Sequence, residues 1–445
     1  MLTDKELRMA ESCLEMALDS GADKVRVTLN RSEENLVATL NSEVDRVTRC
    51  CDSSLSLAIF ADGSFGSFST NKLDEASLRS FISAAVELTR CITPDADRDL
   101  PEPGRCCKDA LSGNELDLVD PARTALDPGR RIDSALHGSI FNSGLSLPRG
   151  CRLISEEAEY SDSLFESLVR DSNGLRCLHS ETSFDYGNEI TIMYKGNRYS
   201  SYFWDSSSRL ACLEPRKCSQ TALQKALSQR GSKHLRSGKF NAVIDSEVSS
   251  KFVSPLLRAL SGYSLQQNNS FLMDSLGKQL FPQSLTLRDC PKIPKECCSK
   301  LFDSEGVATK DCPIIENGVV TQYFINTYMS RKMNIQPTIE DATRPVMMPL
   351  REGFSASDVI AFTGEGIYVT DFNGGNCNSV TGDFSYGIEG FYFKDGEILR
   401  PVSGMLMTGN MLSLWSSLIC SGDDARRCMS KLIPTLAFSD VDFSA

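Results

Sequence analysis

Apolar residues repeat with a helical period in two segments of the first ninety residues, and between them they alternate with polar residues. The helical period predicts helices over 4–20, ending before Gly21, and over about 74–91. The alternation predicts three strand segments, and a turn at Asp62 and Gly63 leads into a further short strand, so the helices and this antiparallel meander make an α+β unit. The apolar positions of the three alternating segments, which point one way within each segment, are Val25, Val27 and Leu29, then Leu36, Ala38 and Leu40, then Leu55, Leu57 and Ile59.

The chain after this unit divides into a proline-rich connection and a central segment. Residues 92–112 contain three prolines and several acids, which is typical of a linker. Strands are expected over 150–158 and 163–170, with a hairpin turn at 171–174 and a helix over 219–230. We therefore predict domains at 1–112, including the linker, at 113–236 and at 237–445.

The last two hundred residues are rich in strand signals. Residues 238–244 and 366–371 are predicted strands, and a hairpin is predicted across Asp395 and Gly396. Val253, Leu256, Leu257 and Leu260 share one face of a predicted helix over 247–262. The predicted fold class is α+β, with a helix and antiparallel-sheet domain followed by a β-rich C-terminal domain.

The composition excludes several classes of protein. With 47 Lys+Arg and 59 Asp+Glu, the net charge of −12 argues against direct nucleic-acid binding. The N-terminus lacks the pattern of a signal peptide, and no apolar run approaches the ~20 residues that span a bilayer. We expect a cytoplasmic protein without a membrane contact, whose 17 cysteines are mostly small buried hydrophobes or scattered thiols.

The C-terminal half resembles the TldD/PmbA family. The resemblance is carried by Phe302-Asp-Ser-Glu-Gly306, by Glu316-Asn-Gly-Val319 and above all by the segment 373–385, which ends in Val-Thr-Gly-Asp-Phe-Ser. In the TldD branch of this family a helix reads Leu-Leu-His-Glu-x-x-Gly-His and supplies two zinc ligands and a catalytic base. The equivalent positions here are Arg258, Ala259 and Tyr263. Arginine cannot bind zinc and alanine cannot act as a base, so the resemblance implies a zinc-less TldE/PmbA-type chain with a degenerate metalloprotease helix.

Other candidate chemistry lies in the same half. The resemblance implies that a group of acids, amides and one hydroxyl lines the active cleft, namely Asp303, Glu305, Asp371, Asn373, Asn376, Asn378, Thr381 and Asp383. The glycine-rich stretch at 374–382 lacks the spacing of a phosphate-binding loop, so a turn with close backbone approach is favoured. Cys428 occupies a position comparable to the third zinc ligand of TldD-type chains, but one thiolate is not a zinc site.

The resemblance implies a specific role in an assembly. The chain would be the non-catalytic subunit of a cytosolic metalloprotease that degrades unfolded peptides or small proteins, with zinc on a TldD-type partner and no cofactor of its own. Alone, it is expected to form a homodimer. The family's older label, modulator of DNA gyrase, implies an indirect effect through proteolysis. The alternatives are a standalone homodimeric binding protein and a zinc-independent enzyme that uses the acids at 371–383.

Overall fold

The structure, a computed structural model, describes residues 2–144 and 146–445. The first half contains one six-stranded sheet in the order β3-β2-β1-β4-β5-β6, in which every neighbouring pair is antiparallel. Its strands are β1 Lys24–Leu40, β2 Glu43–Ala61, β3 Ser64–Thr70, β4 Cys151–Asp171, β5 Arg176–Tyr194 and β6 Asn197–Ser207.

Helices pack against this sheet. They are α1 Asp4–Asp19, α2 Glu75–Arg90, α3 Pro128–Gly138 and α4 Pro215–Ser228, with 3-10 turns at Pro121–Ala125 and Leu210–Cys212. Thr3 and Glu6 form a capping box at the start of α1, and Gly21 follows its end with a φ of +92°. The two predicted N-terminal helices are therefore confirmed.

The strand pattern of the first sheet differs from the prediction in one respect. Residues 24–40 form one unbroken strand, so its two-residue period continues and Asn35, Val37 and Thr39 stay on the covered face. Leu36, Ala38 and Leu40, the apolar positions of the second predicted alternation, lie on the opposite face, where Ala38 is 8% exposed and Leu40 is 42% exposed. The two predicted alternating segments are therefore one strand, in which only a break or a bulge before Leu36 would have put both sets of apolar residues on the same face.

The first two predicted domains contribute to the same sheet. β1 pairs with β4 from Arg26 and Asp171 to Leu40 and Glu157. The predicted hairpin turn at 171–174 is confirmed, since β4 and β5 pair up to Arg170 and Arg176. The domain boundaries stay predictions, although strand pairing continues across the segments 1–112 and 113–236.

The second half closes a sheet into a barrel. The order is β14-β13-β12-β7-β16-β15, and an additional pairing of β14 with β16 completes the ring. Its strands are β7 Gly238–Ile244, β12 Gly366–Cys377, β13 Asp383–Lys394, β14 Glu397–Asn410, β15 Leu418–Ser421 and β16 Leu436–Ser444. The predicted strand at 238–244 and the hairpin across Asp395 and Gly396 are confirmed, as is the α+β fold class.

Shorter elements surround the barrel. They are the helices α5 Ser250–Ala259, α6 Gly262–Gln266, α7 Thr327–Met333, α8 Ala356–Thr363 and α9 Met411–Ser416, and a small sheet of β8 Leu287–Asp289, β9 Cys312–Glu316, β10 Val319–Val320 and β11 Pro345–Met347. Phe252 of α5 anchors the barrel core, with ring centroids 5.6–6.1 Å from Phe372, Phe384, Tyr386 and Phe438. Within residues 2–144 and 146–445, no helix combines the length and the apolar character that a bilayer crossing requires.

Candidate functional site

The helix with the degenerate motif is shorter than its sequence predicts. Phe252, Val253, Leu256 and Ala259 form its buried face, and the helix ends at Ala259. Ser261 then adopts an extended conformation and caps α6, accepting a hydrogen bond from the Ser264 backbone N–H at 3.3 Å. The single predicted helix over 247–262 is therefore wrong, because the chain breaks at 260–261 and starts a new helix.

This break separates the three motif positions. Arg258 is exposed near the end of α5, Ala259 is only 1% exposed, and Tyr263 is 48% exposed on α6. These residues provide a permanent cation, a methyl group and a phenol, so they do not fit zinc. Across the described ranges, no group of three or more His, Cys, Asp or Glu side chains is arranged to hold a metal ion.

A bulged strand forms the opposite wall of the cleft beside α5. The pairing of β12 with β13 shifts register between Phe372 and Gly375. A Cβ at Gly375 would lie 2.0 Å from the Ser385 carbonyl oxygen, and its φ is +98°, so only glycine allows this approach. The favoured reading of the glycine-rich stretch is confirmed, and the strand β13 follows where a phosphate-binding loop would begin a helix.

Between α5 and this wall lies a cavity of about 380 Å³. Lys251 and Arg258 project from α5, and the Lys251 ammonium lies 4.9 Å from the ring centroid of Tyr386. Burial raises the pKa of the Cys377 thiol, with Asp383 adding to the rise and Arg258 opposing it. The lining residues, which we call the α5 cleft, are Lys251, Ser254, Pro255, Arg258, Phe271, Gly375, Asn376, Cys377, Ser379 and Tyr386.

The sequence held a signal for this cleft that motif reasoning missed. Lys251, Ser254, Pro255 and Arg258 are spaced at i, i+3, i+4 and i+7, which places them on one helix face. That polar face is opposite the apolar stripe of the same helix. Tyr386 and Cys377 could not be found in this way, because the barrel brings them to α5 from distant strands.

Of the predicted cleft residues, Asn376 lines the α5 cleft and Asp371 lines a different cavity of about 220 Å³. This second cavity also contains Asp245, Glu247 and Glu389, and burial raises the pKa of Asp245. Asn373 donates a hydrogen bond to Glu389 at 2.9 Å. The acids at 371 and 383 therefore do not share one pocket.

Three further predicted residues stabilise the turn between β12 and β13. Asn378 Oδ1 accepts from the Val380 and Thr381 backbone N–H groups at 2.9 and 3.3 Å. The Thr381 hydroxyl donates to Asp383 at 2.7 Å, and Asn410 donates to the other oxygen of Asp383 at 2.9 Å. The three side chains therefore stabilise the turn through these hydrogen bonds.

Asp303 and Glu305 organise a turn next to α7. Asp303 accepts from the backbone N–H groups of Glu305 and Val307 at 3.0 and 2.9 Å, and Glu305 accepts from the Thr327 N–H and hydroxyl at 2.9 and 2.8 Å. Burial, reinforced by Glu305, raises the pKa of Asp303 to about 7. Their positions give them a structural task, and cleft lining stays a prediction for both.

Cys428, the counterpart of a third zinc ligand, belongs to yet another cavity. That cavity, of about 500 Å³, is lined by Cys428 together with Cys212, Cys218, Cys297 and Arg426, and includes no residue of α5. Burial raises the pKa of Cys428 to about 11, so the thiol is protonated near neutral pH.

Comparison with known proteins identifies this architecture. The family model described as PmbA/TldA metallopeptidase C-terminal domain matches residues 237–445. A solved structure from Bacteroides thetaiotaomicron, described as a candidate modulator of DNA gyrase, is 36% identical with a TM-score of 0.95, and the match covers 100% of both chains. The chain belongs to the PmbA/TldD family.

More distant relatives agree with this membership, which confirms the resemblance seen in the sequence. The protein named metalloprotease PmbA from Escherichia coli O157:H7 is 25% identical, over 97% of this chain and 96% of its own length. TldE from Thermococcus kodakarensis is 18% identical with a TM-score of 0.83, covering 98% of this chain and 100% of that chain, and shares the fold. The PmbA/TldD relatives thus extend over almost the whole chain.

Proposed function

We propose that this chain is the non-catalytic subunit of a cytoplasmic PmbA/TldD-type metalloprotease that degrades unfolded peptides or small proteins. Zinc would reside on a TldD-type partner, and this chain would complete the cavity that holds the peptide. The observation that carries the proposal is the side-chain set at the degenerate motif. Arg258 and Ala259 offer neither a metal ligand nor a base, and Tyr263 lies on a separate helix.

The position of Ala259 strengthens this interpretation. Its side chain is 1% exposed and packs in the barrel core with Phe252 and Leu256. A glutamate at this position would place a carboxylate in an apolar cluster, which is unfavourable without a partner. The motif position has thus become part of the core, and catalysis from it would require the surroundings to change as well.

A partner subunit also suits the first sheet. β3 and β6 are its outer strands, each with one neighbour within the sheet, and the free edge of such a strand can pair with another chain. A second copy of a related fold is a natural occupant, as a heterodimer or, without the partner, as a homodimer. An extended peptide could add to a strand edge through its backbone, which would make recognition tolerant of sequence.

The zinc-independent enzyme is less well supported. It needs the acids at 371–383 to act together, but Asp371 lines one cavity while Asp383 is hydrogen-bonded in a turn. The standalone homodimer differs from the main proposal only in lacking a partner. Co-expression with a TldD-type protein distinguishes the two.

The test is co-purification of the two chains followed by peptide-cleavage assays. We expect a stable complex that cleaves unfolded peptides, while this chain alone does not. Substitution of the partner's zinc ligands should abolish cleavage, and Arg258→Ala in this chain should leave the complex assembled. Failure of the chains to associate, with a stable homodimer instead, would favour the standalone binding protein.

A further inference from the structure

The α5 cleft contains positive charge without a matching acid. Lys251 and Arg258 line the same cavity, and neither forms an ion pair within 4.0 Å with any residue in 2–144 or 146–445. The side chains are seven residues apart on one helix, so both charges face the same space. Two unpaired cations that share a concave wall favour an anionic occupant.

A buried tyrosine adds an uncommitted hydrogen-bond donor. Tyr386 is 2% exposed, yet its hydroxyl has no hydrogen-bond partner in the described part of the chain and is not sealed from solvent. Because Tyr386 lines the cavity, a ligand in the cleft can supply the partner that this hydroxyl lacks. Burial raises the pKa of Tyr386 to about 12, so the hydroxyl keeps its proton and donates.

The rest of the cleft defines the size and character of the occupant. Phe271 and Pro255 add apolar surface beside the cations, and Asn376 adds an exposed amide. A volume of about 380 Å³ accommodates a residue or two of an extended chain. Ammonium, guanidinium and phenol donors together match a carboxylate, which accepts hydrogen bonds at both oxygens.

We propose that the α5 cleft binds a carboxylate group of a peptide, held by Lys251, Arg258 and the hydroxyl of Tyr386. This deepens the proposed function and rests on its peptide-holding role, because it names the chemical group that the cleft recognises. The carboxylate can come from a peptide C-terminus or from an aspartate or glutamate side chain. Both sources present the same two oxygens to the same donors.

The experiment measures binding of short peptides to the full chain alone, by calorimetry. The probes are acetyl-Gly-Ala-Ser-Ala with a free carboxylate, its C-terminal amide, and the amides in which Ser is replaced by Asp or by Lys. We expect binding of the free acid, of the Asp amide or of both, and the pattern identifies the source of the carboxylate. Equal binding of all four probes, or no binding of either acidic probe, would overturn the proposal.

Variants test the named donors. Arg258→Ala and Lys251→Ala should each weaken binding about 10- to 100-fold, since hydrogen bonds to charged groups have roughly this value. Arg258→Lys should be intermediate because it keeps the charge but loses the planar fork, and Tyr386→Phe should weaken binding about tenfold. Arg8→Ala removes an exposed arginine from α1 and is the matched control, with no change expected.

A second readout locates the ligand independently of the substitutions. Bound acidic peptide should slow alkylation of Cys377, measured site by site by mass spectrometry, while the exposed Cys50 should react as before. Unchanged binding in the Arg258→Ala, Lys251→Ala double variant would overturn the proposal. Because the chain is assayed without a partner, this failure is distinct from a failure to assemble a protease, which co-purification measures.

Discussion

In the first sheet, two arginines lie against the carboxylate of Asp162. In the α5 cleft, by contrast, Lys251 and Arg258 line a cavity whose described lining residues include no carboxylate. Asp162 is fully buried, and its oxygens lie 2.9 Å from the Arg123 guanidinium and 2.5 Å from that of Arg131. In the cleft, the described residues offer neither cation an ion pair.

The difference separates charges that hold the fold from charges that are available to a ligand. Arg123 and Arg131 come from the segment before β4 and fix that segment to the sheet through Asp162. Removing one partner of such a buried ion pair leaves the charge of the other partner uncompensated. Lys251 and Arg258 face open space, so their removal should change binding and leave the fold intact.

The largest expected effect is on the paired side of this comparison. Asp162→Ala removes the buried carboxylate from Arg131 and from Arg123, which keeps only a 3.7 Å ion pair with Glu33, and should lower the free energy of unfolding by about 3–5 kcal/mol. Chemical denaturation monitored by circular dichroism measures the loss. The matched control is Glu159→Ala, which removes an exposed ion pair to Arg46 from the same strand and should cost about 0–1 kcal/mol. Similar losses for the two variants would show that the buried charges are not structural.

A smaller loss of stability is expected from substitutions in the bulge of β12, which forms the wall of the cleft opposite α5. Gly374 and Gly375 both have positive φ, but only at Gly375 would a Cβ meet the β13 backbone, while Gly374 faces open space. Gly374→Ala should cost about 1–3 kcal/mol from backbone strain alone. Gly375→Ala should cost at least ~1 kcal/mol more, because β12 and β13 must move apart. Equal losses in thermal or chemical denaturation would contradict the predicted contact.

The half-buried acid Asp303 should make the stability of the chain depend on pH. Burial raises the pKa of Asp303 to about 7, compared with about 3.9 for an unfolded aspartate. The folded chain therefore binds more protons between these values, and this group's stabilisation is lost as the pH rises from about 4 to about 7. Asp303→Asn should remove that part of the pH dependence, whereas the exposed control Glu352→Gln should not. An unchanged pH profile in Asp303→Asn would contradict the raised pKa.

The smallest effect on stability is expected in the cleft itself. Arg258→Ala removes an exposed, unpaired side chain and should change the free energy of unfolding by no more than about 0.5 kcal/mol. The same denaturation experiment measures it. A loss as large as that of Asp162→Ala would mean that Arg258 holds the fold, and the distinction between the two regions would fail.

The sequence predicted those features that depend on near neighbours. Helix α1 with its glycine stop, the hairpin turns at 171–174 and at Asp395, and strand β7 all follow from local pattern and turn chemistry. The break after Ala259 was missed because Val253, Leu256 and Leu260 continue an apolar stripe up to it. Periodicity cannot show that Ser261 will cap a new helix.

The site was less predictable than the fold. The bulged pairing of β12 with β13 decides which of their residues face α5, and this brings Cys377 and Tyr386 to Arg258. It also separates Asp371 from Asp383, which lie only twelve residues apart in sequence. The loss of zinc chemistry at the degenerate motif could be predicted from residue types alone, because arginine and alanine cannot bind zinc in any geometry.

The most direct test of the central claim is the zinc content of this chain, purified alone and in complex with a TldD-type partner. We expect no stoichiometric zinc in the chain alone and about one zinc per partner chain in the complex, with peptide cleavage only in the complex. About one tightly held zinc per chain in the lone protein, lost on substitution of residues near Arg258 and Tyr263, would contradict it.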